Sequence, residues 1–358
     1  MVSPIQIFSG KRILVTGHTG FKGSWLSIWL TELGAEVVGV SLDPATERDC
    51  YVLSGIGKKL YADIRADIRD GETIRAIVSQ YRPEVIFHLA AQPLVRLSYD
   101  KPVETYAVNV MGTINVMEAI RACDSVRVAV MITTDKCYEN TEQIWGYRET
   151  DAMGGYDPYS SSKGAAEIAI SSWRRSYFNP DSFGKKHYVS IASVRAGNVV
   201  GGGDWSCDRI VPDCIRALEN KKPIELRHPN AVRPWQHVLE PLSGYLLLAA
   251  KMLERPTVYC EGWNFGPLHD SVATVQQVAD LIVKHYGEGS TMDVSDHSAV
   301  HEANLLTLDI TKAQRLLGWQ PRLDLEMCIQ FTVDWYRQYS TRNVMDICVE
   351  QIRQYMQS

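Results

Sequence analysis

One stretch near the N-terminus restricts this chain to few folds. Ile13-Leu14-Val15-Thr16 is a short apolar run, and Gly17-His18-Thr19-Gly20-Phe21-Lys22-Gly23 follows it at once. Trp25, Leu26, Ile28, Trp29, Leu30 and Leu33 then form a helical stripe that stops at Gly34. A buried strand, a glycine loop and a helix in direct succession make the opening of a βαβ unit. Gly17 permits a tight turn, Gly20 lets the backbone approach a ligand, and Gly23 lets the helix lie close to the strand. The helix N-terminus then presents free N–H groups to an anion. The glycine spacing of three and three departs from G-x-G-x-x-G, but the context is that of a pyrophosphate-binding loop.

The same rhythm continues. Glu36–Val40 reads as a second strand ending at Ser41-Leu42-Asp43, where a carboxylate can bind a ribose or simply shape the turn before Pro44. A carboxylate there repels a 2′-phosphate, and no arginine follows immediately, so NAD is expected rather than NADP. A third strand ends near Asp67-Ile68, and Asp70 can cap a helix through Tyr81. A fourth runs from Pro83 through His88 into Leu89-Ala90-Ala91-Gln92, small residues that let a cofactor lie near the backbone. A long helix is expected over 102–123, with Asn109 on its apolar face as a hydrogen-bonding brace. A fifth strand spans Val126–Thr133 and a sixth Val189–Val194.

Strands alternating with helices predict α/β architecture: a Rossmann-type doubly wound parallel sheet with a smaller C-terminal α/β substrate domain. The rhythm changes after Arg195. The expected division is 1–195, rejoined by segments near 228–265, against 196–358. Ligands of such sheets bind at the carboxyl ends of the strands. Thr16, Asp43, Asp67, Ala90 and Thr133 all fall there.

Net charge −5 over 358 residues argues against a nucleic-acid scaffold. The eight cysteines form no C-x-x-C pair, so no metal site is expected. The longest apolar run, Tyr245–Ala250, is too short to span a bilayer. Met1-Val2-Ser3-Pro4 does not open a secretory leader, and a cytoplasmic protein is the expectation.

The stretch from Thr133 to Lys163 carries the chemistry. Thr133-Thr134-Asp135-Lys136 closes the fifth strand with polar residues. Tyr159 and Lys163 lie four apart at the start of a helix and share one face. A nearby ammonium favours phenolate, which makes a general base. Tyr159 is the only tyrosine of the seventeen with a lysine four residues on.

Taken together, Gly17-x-x-Gly20-x-x-Gly23, Asp67-Ile68, His88-Leu89-Ala90-Ala91, Asn109, Tyr159-x-x-x-Lys163 and Arg195-x-x-Asn198 resemble the extended short-chain dehydrogenases/reductases that act on nucleotide sugars. So do Arg233-x-Trp235-x-His237-Val238, Asn264-x-Gly266 and Leu317-Gly318-Trp319-x-Pro321. Thr134-Asp135-Lys136 is similar to the acid/base triplet of the 4,6-dehydratase branch, with lysine where many members carry glutamate. The resemblance implies NAD as cofactor, held by Gly17, Thr19, Gly20, Phe21, Lys22, Gly23, Asp43, Asp67, Ile68, Leu89, Ala90, Ala91, Asn109, Thr133, Tyr159, Lys163 and Arg195. It implies Thr134, Asp135, Lys136, Tyr159 and Lys163 as catalytic residues. Asn198, Arg209, Arg233, Trp235 and His301 are the implied substrate contacts. The overall resemblance implies CDP-glucose as substrate and 3,6-dideoxyhexoses of bacterial surface polysaccharide as the destination. A homodimer through the helices near 102–123 and 159–177, or a tetramer, is implied as well. Lys136 is either the C5 base, as a neutral amine, or an ammonium that stabilises the enolate.

Overall fold

The computed structural model describes residues 4–268, 272–295 and 306–358. Seven strands form one wholly parallel sheet: β1 (Arg12–Thr16), β2 (Glu36–Ser41), β3 (Ala62–Arg65), β4 (Val85–His88), β5 (Val128–Ile132), β6 (Ser190–Arg195) and β7 (Gly262–Asn264). Their order across the sheet is β7-β6-β5-β4-β1-β2-β3. β1 therefore pairs with β2 on one side and β4 on the other, with Thr16 opposite both Val40 and His88. The winding reverses there, and a crevice opens beyond the carboxyl ends of β1 and β4.

The central strands are apolar because both faces are covered. On one face Ile13, Val15, Phe87, Val130 and Val194 pack with α1 (Phe21–Glu32) and a later helix, Leu239–Glu254. On the other, Leu14, Val38, Ile86, Met131 and Ile191 pack with α2 (Gly71–Tyr81), α3 (Thr113–Arg121) and α4 (Pro158–Ser176). Asp70 caps α2 as its sequence suggested, accepting from the Thr73 N–H at 3.1 Å.

The expected long helix is a composite. Pro102–Tyr106 is α-helical, Ala107–Gly112 forms a π segment, and α3 follows. Such wide turns rotate one residue out of the regular repeat. Here the π segment holds Asn109, 1% exposed.

Beyond β6 the sheet gives way to short ladders. Val199–Val200 pairs with Gln236–His237, Val232–Pro234 with Val272–Thr274, and Ile224–Leu226 with Thr291–Asp293. Two helices close the chain, Leu325–Gln338 and Val344–Gln357. The sequence reading missed the last one. Its inner stripe, Val344, Ile347, Cys348, Ile352 and Tyr355, packs into the larger core.

Candidate active site

The glycine loop is built as its spacing demands. Gly17 has φ of +75° and a Cβ there would stand 2.7 Å from the Ala90 nitrogen. A Cβ on Gly23 would overlap the Gly17 carbonyl. Gly20 is different: its missing side chain faces only the Gly17 oxygen, at 3.4 Å, and otherwise open space. Gly20 also caps α1 with no side-chain hydrogen bond to the helix N–H groups. Those donors remain free for an anion.

Lys22 follows from the first turn of α1. Burial pushes its ammonium down to about 8, and Lys163 and Arg209 push in the same direction against Asp135. The loop lysine and the helix lysine thus face one region, together with Arg209 and Asp135. Among the described residues neither Lys22 nor Lys163 has a hydrogen-bond or ion-pair partner. Two unpartnered ammonium groups beside free helix N–H groups form a cradle suited to a phosphate-bearing ligand.

The chemistry-bearing residues converge from two elements. Thr134 leaves the end of β5 and caps a short 3-10 turn, Asp135–Cys137. Its hydroxyl donates to Asp135 Oδ1 at 2.8 Å. The Tyr159 phenol lies near, where the Thr134 hydroxyl favours its ionised form. Lys136 Nζ reaches Asp135 Oδ1 at 3.5 Å. Asp135 is 1% exposed, and its Oδ2 has no partner. Tyr159 and Lys163 project from the first turns of α4 and are both buried. Asp157 caps that helix through the Ser160 N–H.

The expected phenolate is corrected. Burial raises the Tyr159 phenol to about 12, only partly opposed by the nearby Thr134 hydroxyl. Lys163 does not lower it; burial instead pushes Lys163 itself down to about 8, against the pull of Cys137 and Glu167. In the ligand-free chain desolvation outweighs the i,i+4 effect.

Several expected ligand contacts are occupied by the protein. Asn109 Oδ1 accepts from the Gln92 N–H at 2.9 Å, and its Nδ2 donates to the Gln92 carbonyl and to Ser162 Oγ at 2.9 Å. It braces α4 at Ser162, one residue before Lys163. The Thr19 hydroxyl is engaged by Ser41 Oγ and the Leu42 carbonyl. Thr133 Oγ1 donates to Glu167 Oε1 at 2.5 Å. Ile68 is buried in the smaller core, and Asp67 is engaged by Arg69. Leu89, Ala90 and Ala91 are half-buried at the crevice beyond β4. Phe21 is half-buried beside Gly201.

Arg195 and Trp235 lie elsewhere than the sequence reading put them. Arg195 spends its guanidinium on Glu167, at 3.0 and 2.9 Å, on Tyr138 Oη and on the Glu149 carbonyl. Both members of the Arg195–Glu167 pair are buried. Trp235 is core, its indole donating to the Ala273 carbonyl at 3.1 Å. A buried cation needs a buried anion, and a large indole needs area, so tertiary packing claims both. His301 lies outside the described residues.

Asn198 adopts φ of +47° with a buried, unpartnered Nδ2. Arg209 is tied to Asp204 at 2.8 Å. Asp43 is largely exposed and accepts from Arg65 Nε at 3.0 Å. That arginine arrives from β3, where sequence order did not suggest it. Glu167, also missed, follows Lys163 by four residues on the buried side of α4, a spacing that could have revealed it.

Comparison with known proteins identifies the chain's relatives. A family model described as GDP-mannose 4,6 dehydratase matches residues 14–332. The chain is 46% identical over 352 residues to the CDP-glucose 4,6-dehydratase of Salmonella typhimurium, covering 98% of each. It is 27% identical to dTDP-glucose 4,6-dehydratase 1 of Escherichia coli K12, over 91% of this chain and 92% of the other. Among solved structures, the UDP-glucose 4-epimerase of Thermotoga maritima with UDP-glucose superposes with TM-score 0.75 at 25% identity, covering 91% of this chain and 99% of that one. The Bacillus anthracis dTDP-glucose 4,6-dehydratase in complex with NAD shares the fold, with TM-score 0.75 at 21% identity, over 92% of this chain and 97% of that one. With the family model spanning most of its length, this chain belongs to the GDP-mannose 4,6 dehydratase family.

Proposed function

We propose that this chain catalyses the NAD-dependent 4,6-dehydration of CDP-glucose to CDP-4-dehydro-6-deoxyglucose. The observation that carries the reading is the meeting of Thr134, Asp135 and Lys136 with Tyr159 at the carboxyl end of β5. A 4-epimerase needs no acid/base pair beyond the tyrosine, and Asp135-Lys136 disfavours that alternative. The Salmonella relative's name supports the cytidine nucleotide over the dTDP and GDP sugars.

NAD fits the residues present. The open side of Gly20, the uncapped α1 N-terminus and the free Lys22 and Lys163 suit a dinucleotide. Bound NAD supplies a hydride acceptor that is also the later donor, so the net change is loss of water. Tyr159, a phenol in the ligand-free chain, would ionise more readily beside the positive charge that an oxidised cofactor would bring. Tyr159 then takes the proton of the sugar C4 hydroxyl, which Thr134 orients. The 4-ketone acidifies C5; Lys136 as neutral amine takes that proton, and Asp135 protonates the departing C6 hydroxyl. Asn198, Arg209 and Arg233 grip the diphosphate.

The proposal extends to organisation. Residues 1–195 with 228–265 form the NAD-binding unit, and the remainder of 196–358 the substrate unit. Val103 (82% exposed), Met111 and Ile168 (61%) lie outward on the helical segments 102–121 and 158–176, which supports a homodimer through that face. No helix among the described residues is long and apolar enough to cross a membrane. Supply of a deoxyhexose for surface polysaccharide in the cytoplasm completes the reading. Incubation with NAD and separate CDP-, dTDP-, GDP- and UDP-sugars tests it. Loss of water with a 4-keto product from CDP-glucose is expected, and retention of the 6-hydroxyl would overturn it.

A further inference from the structure

The side chains of Thr134, Asp135 and Lys136 bond to one another, with Thr134 and Lys136 both reaching Asp135 Oδ1. β5 ends at Ile132, and the three residues lie in the turn beyond it. That turn is gripped at both flanks. On one side Thr133 Oγ1 donates to Glu167 Oε1 at 2.5 Å. On the other, Tyr138 Oη accepts from Arg195 Nη1 at 2.6 Å and donates to Asn264 Oδ1 at 2.8 Å. Glu167 and Arg195 are joined to each other by two hydrogen bonds, at 3.0 and 2.9 Å. One ion pair therefore reaches both the residue just before Thr134 and the residue that closes the turn.

Glu167 lies one helical turn beyond Lys163 on α4, the helix that also carries Tyr159. Arg195 ends β6. Thr133, Tyr138, Glu167 and Arg195 are all buried. A buried charge pair adds little stability that apolar packing of the same volume would not supply. What it does supply is direction. Hydrogen bonds have preferred angles, and a buried network with its bonds filled allows few other arrangements. Both oxygens of Glu167 are filled: Oε1 accepts from Thr133 and Arg195, and Oε2 from Ser193 and Arg195.

We propose that the Glu167–Arg195 pair is a positioning device for the reaction, holding Thr134, Asp135 and Lys136 in place against Tyr159 by bracing Thr133 and Tyr138 on either side of them. Glu167, Arg195, Thr133 and Tyr138 act through the triplet and touch no reacting atom. Thr133 is on this reading a brace, not a cofactor contact. The inference rests on the proposed 4,6-dehydration and names positioning residues for it.

Kinetics of the NAD-loaded full chain with CDP-glucose test it, using T133V, T133S, Y138F and S193A. T133V and S193A each remove one hydrogen bond from the same buried carboxylate, but only Thr133 adjoins the triplet. T133V and Y138F should each lower kcat about 10- to 100-fold with KM unchanged. Reduced nicotinamide should persist longer during their turnover, seen by absorbance, because the hydride returns only after Asp135 and Lys136 have acted at C6 and C5. T133S should restore kcat. S193A should keep native kcat while its urea midpoint falls as far as that of T133V. Equal loss of kcat in S193A and T133V, or native kcat in both T133V and Y138F, would overturn the positioning role and leave the pair a support of the fold alone. Weakened NADH binding by T133V in fluorescence titration would overturn it too, by making Thr133 a cofactor contact. Absence of any 4-keto product from the native protein would instead reject the underlying reaction.

Discussion

A Cβ on Gly197 would occupy the space of the Asp135 carboxyl, overlapping both Oδ2 and Cγ. The glycine after β6 thus fixes where the acid at the end of β5 sits. Overlap of this kind forces a side-chain or backbone shift. G197A should lower the rate of 4-keto product formation about 100-fold, the usual cost of an ångström-scale misplacement. Nucleotide-sugar binding should change little, and calorimetric titration beside the rate assay separates the two. An unchanged rate would show that Asp135 need not stand where it does.

The Arg195–Glu167 pair makes a stability prediction with a defined sign. Burial alone pushes the Glu167 carboxyl up; the Arg195 charge and the bonds from Arg195, Thr133 and Ser193 outweigh it, and the carboxyl ends below its ordinary value of 4.5. A depressed carboxylate contributes stability above its unfolded pKa and loses it as pH falls through the folded one. E167Q should cost about 3–5 kcal/mol near neutrality by leaving Arg195 unpaired. The difference from native in urea unfolding should be flat from about pH 5 to 8 and shrink below about pH 4.5.

Lys163 carries the opposite sign. Its folded pKa, about 8, lies below the ordinary 10.5 because of burial. The unfolded chain therefore binds the proton more tightly, and the penalty is present in full below pH 8. K163M should stabilise the ligand-free protein by about 1–3 kcal/mol at pH 7 while abolishing turnover. The gain should fade between pH 8 and 10.5. Thermal unfolding across that range checks it, and a destabilised K163M at pH 7 would contradict it.

Asp43 and Arg65 bear on cofactor choice. Arg65 Nε donates to the Asp43 carboxylate at 3.0 Å, and Tyr51 and Asp63 hold the rest of the guanidinium. D43S removes a charge that repels a 2′-phosphate and frees one face of an arginine that attracts it. Affinity for NADPH relative to NADH, measured by fluorescence titration, should rise about 10- to 100-fold. D43S with R65M should lose most of that gain.

Much of this protein was legible along the chain, because its informative contacts are local or periodic. The strand-glycine-helix opening at 13–33, the cap at Asp70 and the four-residue step from Tyr159 to Lys163 depend on neighbours within a few positions. The alternation of strands and helices fixed the parallel sheet, since consecutive strands of that kind can be joined only by crossovers. The last helix, Val344–Gln357, was missed although its apolar residues follow the same helical period.

What tertiary structure decided was which groups each side chain faces, and so its charge state and its task. Arg195 pairs with Glu167, Trp235 went to the core, and Arg65 arrived beside Asp43 from another strand. Tyr159 became a phenol held near 12 in the ligand-free chain. Sequence periodicity assigns a residue to a face. Desolvation and long-range pairing depend on what the rest of the chain places against that face, and only the folded structure supplies that.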